Sequence, residues 1–186
     1  MVAPTGGEKD MDAPQLLTIL ESVGKESTHL EKVYFLFDEY IGLNQWEDHF
    51  YISPPIKKRI VKKIAGKSLE LHIEDTLMEN TTYLLSLDNC IKDINEGNVV
   101  EDLQLLFSTW GNVDSLKLSG KLQDAYTLEV VENVWVMLFE ENRNDSIIFK
   151  ETPNYIAKTD KNGNFHFPNL KANDFKIVAL TDFDFI

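Results

Sequence analysis

The chain has almost no cysteine. Cys90 is the only one among 186 residues, so no intrachain disulfide can form and cysteine usage assigns no compartment. Cys90 sits between Asp88 and Asp93, whose negative charge opposes a thiolate, so a structural role is expected of it. No apolar run approaches the roughly 18 residues of a membrane-spanning helix, and no signal peptide is legible. The four histidines, His29, His49, His72 and His166, never fall at metal-ligand spacing. There is no Gly-x-Ser-x-Gly turn and no phosphate-cradling glycine loop. Acidic pairs such as Asp38-Glu39 and Glu140-Glu141 are sequence neighbours. On a strand they point to opposite faces and cannot flank one bond. The sequence therefore predicts no catalytic residue, no metal site, no cofactor and no enzyme activity.

Basic charge is scarce as well. With 18 Lys and Arg against 31 Asp and Glu, the net charge is −13. Phosphate would be repelled, which argues against a nucleic-acid partner and for a solubilising surface. The one local exception is Lys57, Lys58, Arg59, Lys62 and Lys63. This segment could attract anionic headgroups or an acidic protein partner. The plainer reading is an edge strand that lysine keeps from pairing with other sheets.

What is present is short alternation. Hydrophobic residues make up 43% of the chain, enough for true cores, yet no segment longer than about ten residues carries a 3.6-residue stripe. The organising stretch is residues 80–109. Two apolar runs, 82–87 and 103–107, flank a polar connection holding Asp93, Asn95, Gly97 and Asn98. Before it, residues 15–20 and 32–37 (KVYFLF) read as strands. Residues 38–49 read as a loop with a helical turn, and 50–52 as a short strand stopped by Ser53-Pro54-Pro55. Residues 57–64 and 67–73 read as a hairpin through Ala65-Gly66. After Thr109 the character resets at Trp110-Gly111-Asn112, a plausible hinge. Leu116, Leu118 and Leu122 alternate with Lys117 and Lys121. Residues 134–139 (VWVMLF) are apolar on both faces, as in a central or interface strand. Residues 155–159 should pair with 164–167 through Asp160-Lys161-Asn162-Gly163, and 175–180 form the last strand. Many short strands with polar turns predict an all-β protein of two tandem β-sandwiches. The boundaries are a flexible leader at 1–13, a sandwich at 14–110 and a second at 115–186.

Two oxygen-rich loops, Asp93/Asn95/Asn98 and Asp160/Asn162/Asn164, could suggest calcium. Each offers too few carboxylates for six to eight ligands, and Asx turns with a left-handed glycine account for them better. Trp46, Phe50 and Tyr51 could form an aromatic platform for sugar, or belong to a core or interdomain contact. Trp110 and Trp135 suit the seam between sandwiches.

Specific residues also carry a family likeness. The strand 32–39 ending Phe-Asp-Glu, the NTTY of 80–83, Asp93 with Gly97-Asn98, and the closing Phe107-Ser108-Thr109 resemble the bacterial Ig-like domain found in S-layer proteins. Leu118-Ser119-Gly120-Lys121, TDKNGNF at 159–165, Leu170-Lys171-Ala172 and the strand 175–180 look like a transthyretin-like or carboxypeptidase-regulatory-like sandwich. The two in tandem, after Pro4-Thr5-Gly6-Gly7-Glu8-Lys9-Asp10, are similar to Ig-like-domain lipoproteins of Bacteroidetes, in which the PTGG segment follows a lipidated cysteine. No such cysteine precedes it here, and the resemblance implies a form that has lost it. The same resemblance implies that 182–186 stop short of the family's last strands, leaving the second sandwich incomplete. What it implies for function is a non-enzymatic cell-envelope lipoprotein, outer-membrane-anchored, serving as spacer or protein-docking module for an envelope or outer-membrane protein. The other class left open is a carbohydrate- or glycan-binding module centred on Trp46.

Overall fold

The computed structural model describes residues 9–23, 30–109, 112–140 and 151–181. Nearly all regular structure in them is strand, arranged in five sheets, with one four-residue helix. The fold class is all-β with antiparallel sheets, as the alternation predicts. The chain divides into two compact units, 1–50 with 58–74 and 86–104, and 51–57 with 75–85 and 105–186.

The first unit is built on a four-stranded sheet of order β1-β2-β6-β5: β1 (Leu16–Val23), β2 (Leu30–Phe37), β6 (Ser68–His72) and β5 (Val61–Ala65). Antiparallel register puts Val33 opposite Leu71 and Phe35 opposite Leu69, and all four are fully buried. Paired residues share a face, so Tyr34, Glu70 and Lys32 take the wet side, where Lys32 Nζ and Tyr34 Oη both reach Glu70 Oε1 at 3.2 and 3.1 Å. β5 and β6 form the expected hairpin, with Gly66 at φ +64° in its turn. The loop reading of 38–49 missed β3 (Ile41–Leu43), which pairs with β8 (Ile91–Asp93) inside the connection that looked wholly irregular. Three-residue strands carry too little alternation to register as pattern. The helical turn expected there is α1 (Trp46–His49).

The second unit holds three sheets. One is β4 (Tyr51–Ser53), β7 (Thr82–Ser86) and β9 (Gln104–Ser108), with β7 central. Another is β10 (Leu116–Lys121) paired with β13 (Asn164–Leu170). The third is β12 (Tyr155–Lys158), β11 (Trp135–Glu140) and β14 (Phe175–Leu180), with β11 central. The apolar run at 134–139 is therefore a central strand, as its composition predicts, and each of its faces has its own core. Val136 and Leu138 pack with Tyr155, Ala157, Phe167 and Leu170, which joins two sheets into a sandwich. Met137 and Phe139 pack with Ile156, Tyr51, Trp135, Val178 and Leu180.

The expected hairpin between 155–159 and 164–167 does not form. The Asp160–Gly163 turn is present, with the Gly163 N–H donating to Asp160 O at 2.9 Å. The strands it joins enter different sheets, β12 beside β11 and β13 beside β10. A doubly apolar β11 must have neighbours on both edges, and β12 takes one of them. Tight turns signal a reversal of direction and leave the partner open.

Trp110 and Gly111 lie outside the described residues, as do the expectations placed on them, on His29, and on 182–186. The backbone on either side of 110–111 is fastened to β7 or its approach. The Thr81 N–H donates to Thr109 Oγ1 at 3.0 Å, and that hydroxyl donates to Met78 O at 2.8 Å. The Asp114 N–H donates to Thr82 Oγ1 at 2.9 Å, and Asn169 Nδ2 holds Asp114 O at 2.6 Å. Lys171 Nζ reaches Thr81 Oγ1 at 3.2 Å. β7 is buried at every position. Its Thr82 and Leu84, with Leu106, surround a gap of about 10 Å³ against Tyr155, Ile156, Phe167, Pro168 and Asn169. Such a gap holds about one water at most.

The edge of β12 is closed by a side chain. The buried Ile156 N–H donates to Ser53 Oγ at 3.0 Å, and Ser53 is itself 5% exposed. Ser53→Ala removes the acceptor and leaves a buried donor without one, a loss of about 1–3 kcal/mol. The urea midpoint should fall accordingly, and an unchanged midpoint would show that this bond does not matter.

Candidate functional site

The basic segment was the strongest candidate, and the structure divides it. β5 is an edge strand, as the protective reading of its lysines requires. Lys62 pairs with Leu71, so it takes the core-facing side. There its Nζ lies 4.9 Å from the Trp46 ring centroid and bonds Glu47 Oε1 at 2.8 Å. That hydrogen bond is the main cause holding the Glu47 carboxyl below its ordinary pKa. Lys63 pairs with Glu70 on the opposite face. Lys58 Nζ donates to Glu74 O at 3.0 Å. Lys57 is fixed through its backbone N–H, which donates to Asp75 Oδ2 at 2.5 Å. The side chains of Lys57, Arg59 and Lys63 stand in solvent. Strand alternation thus sends Lys62 and Lys63, the two basic residues on β5, to opposite faces.

Trp46 is 7% exposed. Its ring stacks on Phe50 at 4.3 Å between centroids. Tyr51 makes an edge contact with Trp135 at 5.6 Å, and Lys158 Nζ lies 4.7 Å from that indole's centroid. The indole of Trp46 is committed to a core and a cation contact, and of the three aromatics grouped in sequence Trp46 and Phe50 stack on each other while Tyr51 turns to Trp135.

The oxygen-rich loops close on themselves. Asp93 is 1% exposed. Its Oδ1 accepts the N–H groups of Asn95, Glu96 and Gly97 at 2.8, 2.6 and 3.1 Å, and its Oδ2 accepts that of Asn98 at 2.7 Å. Gly97 sits at φ +84° to let the turn form. Asn98 then donates to the carbonyls of Asp10 and Asp12 at 3.2 and 2.9 Å, so part of the expected leader is pinned to this loop. Asp160 accepts the N–H of Asn162 and of Asn164, both at 2.8 Å. Asp124, which the sequence reading passed over, accepts those of Tyr126 and Thr127, both at 2.9 Å. No Gly, Pro, Asn or Ser follows Asp124 in 125–130, so the sequence carried no turn signal beyond the aspartate itself. Among the described residues no three His, Cys, Asp or Glu side chains are grouped to hold a metal ion. Ser119 Oγ lies 2.6 Å from His166 Nδ1. It is an exposed cross-strand pair on β10 and β13, of a kind worth a few tenths to about 1 kcal/mol to a sheet.

These carboxylates tie acidity to stability. Burial pushes the Asp93 carboxyl up, but the N–H groups of Glu96, Gly97, Asn98 and Asn95 outweigh it and hold its pKa below the ordinary value. Asp124 is held down first by the Thr127 N–H, and Asp160 first by that of Asn164. A pKa lowered on folding contributes stability that is complete above the unfolded value, near pH 4, and is lost as pH falls through the folded one. Asp93→Asn should lower the melting temperature at pH 7 and flatten the acid limb of the stability curve below about pH 4. A variant that tracks the parent at every pH would remove Asp93 from this role.

Glu39 lies in the same region and moves the other way. Burial raises its pKa first, and the charges of Asp93, Asp38, Asp10 and Glu96 add to that. This corner of an acidic chain is repulsive, and the Asp93 turn is the means by which one of its charges is kept.

Comparison with known proteins bears on the same region. No curated protein and no solved structure matches the chain. The family model described as a bacterial Ig-like domain matches residues 10–109, more than half of the chain and the part that contains β1 to β9 and the Asp93 turn. The chain belongs to the bacterial Ig-like domain family.

Proposed function

We propose that this chain is a non-enzymatic module of a cell-envelope lipoprotein, anchored at the outer membrane, that acts as a spacer and docks another envelope protein. An Ig-like domain is a structural or binding module, and the finer reading rests on how this chain spends its polar groups. The observation that carries it is the fastening around β7. Thr81, Thr82, Thr109, Asp114 and Asn169 use their hydrogen bonds on one another, which makes the polypeptide on both sides of 110–111 part of one stiff body. Stiffness is what a spacer requires. The Asn98 contacts to Asp10 and Asp12 give an N-terminal tether a fixed exit point. The β10–β13 and β12–β11–β14 sandwich we read as the transthyretin-like or carboxypeptidase-regulatory-like domain, on the motifs at 118–121 and 159–165. A glycan platform finds less support, since Trp46 keeps little of its ring in solvent.

The test is metabolic labelling of the full-length natural protein in its own host with an alkyne fatty acid, followed by membrane fractionation. The reading predicts a lipid-labelled protein that sediments with the outer membrane. Unlabelled protein in the soluble fraction would contradict it.

A further inference from the structure

Ahead of β1 the chain lies across the first unit as a strap. Lys9, Asp10, Met11 and Asp12 are exposed, Ala13 is half-buried and Pro14 is buried. Burial therefore begins at Pro14, and the backbone is fastened just after it. The Gln15 N–H donates to Asp38 Oδ1 at 2.8 Å, and the Asp38 N–H donates to Gln15 O at 3.1 Å. Among the described residues, the hydrogen bonds that hold 10–12 to another part of the chain both come from one side chain. Asn98 Nδ2 donates to Asp10 O at 3.2 Å and to Asp12 O at 2.9 Å, both in exposed surroundings. Met11 between them is 75% exposed and adds little apolar contact. Fixing one residue's backbone costs about what one net hydrogen bond returns. Two exposed bonds on three residues with no buried side chain leave the docked and released strap close in free energy, far below the stability of the sheet behind it.

Charge acts against docking. The docked strap sets Asp10 near Glu39, Asp38, Asp93 and Glu96, and after burial the charges of Asp93, Asp38, Asp10 and Glu96 are what push the Glu39 carboxyl up. Asp93 is compensated by the N–H groups of its own turn. Among the described residues no Lys or Arg forms an ion pair with any of these five acids or with Asp12, and Lys67 meets Asp38 only at its backbone oxygen, at 2.6 Å. Repulsion between exposed carboxylates is screened as the Debye length shortens, to about 10 Å at 0.1 M salt and less above it. The Asn98 bonds are made by a neutral amide and do not weaken in step. The balance between the two states therefore moves with ionic strength.

We propose that residues 9–13 are a salt-controlled strap, docked on Asn98 at high ionic strength and released at low ionic strength with the body still folded. Release moves the point at which the preceding chain leaves the body from Asp10 to Pro14, adding up to about 14 Å of reach for four extended residues. The device goes beyond the spacer reading and does not depend on it. In a tethered spacer it would make the reach of the tether respond to salt.

Electron paramagnetic resonance of a spin label at Met11→Cys, between the two carbonyls that Asn98 holds, tests it on the intact chain. Cys90 is buried, out of the label's reach. The spectrum should contain an immobilised and a mobile component, the immobilised fraction rising about twofold or more between roughly 0.02 and 0.5 M NaCl. Asn98→Ala should remove the immobilised component at every salt concentration without loss of the fold, since its backbone N–H still fills Asp93 Oδ2. Asp10→Asn with Asp12→Asn should show at low salt the immobilised fraction that the parent reaches at high salt. A single component at every salt concentration, a fraction that stays level or falls as salt rises, or an Asn98→Ala spectrum equal to the parent's would overturn the proposal. Lipid labelling reads the anchoring proposal independently, so the two can fail separately.

Discussion

Two strands with no wet face determine the second unit. β7 and β11 are apolar or sealed on both sides, and each must lie at the centre of a sheet with packing above and below. For β11 that requirement places Val136 and Leu138 in one core and Met137 and Phe139 in another. At roughly 1.5–3 kcal/mol for each large apolar side chain buried, these faces outweigh any single hydrogen bond nearby. The polar contacts have a different task. Ser53 on Ile156, Thr82 on Asp114 and Asn169 on Asp114 are worth about 1 kcal/mol each, too little to drive assembly. They are directional, so they fix which strand edge meets which residue.

The acidic excess is managed locally. Three aspartates, Asp93, Asp124 and Asp160, turn their negative charge onto backbone N–H groups of their own loops. A carboxylate that accepts such bonds is stabilised as an anion and organises its turn at once. Asp93 goes further, because the turn it builds presents Asn98 to the segment around Asp10. The scarce lysines are used against the acids, as Lys32 is on Glu70 and Lys62 on Glu47.

Most of the strands were legible, because apolar runs of six rich in β-branched and aromatic residues announce themselves: 32–37, 134–139 and 175–180 correspond to β2, β11 and β14. Short elements were not, and β3 and β8 have three residues each, fewer than two periods of alternation. Pairing was the weaker inference. The Asp160–Gly163 turn is where its residues predict, yet β12 and β13 separate, since partners are chosen by burial of β11 and not by the turn. The turn role of Asp93 was readable from its spacing to Gly97. The burial of Trp46 was not, because it depends on Lys62 arriving from β5 over a ring already stacked on Phe50.

Family and geometry agree on a protein that holds and touches. Its central physical claim is that β12, although the outer strand of its sheet, is sealed by Ser53 and belongs to the same cooperative body as β11. Native-state hydrogen exchange at the Ile156 amide tests this most directly. The account predicts protection equal to that of the β11 amides of Met137 and Leu138, lost only on global unfolding. An Ile156 amide that exchanges as fast as an exposed edge or loop would contradict it.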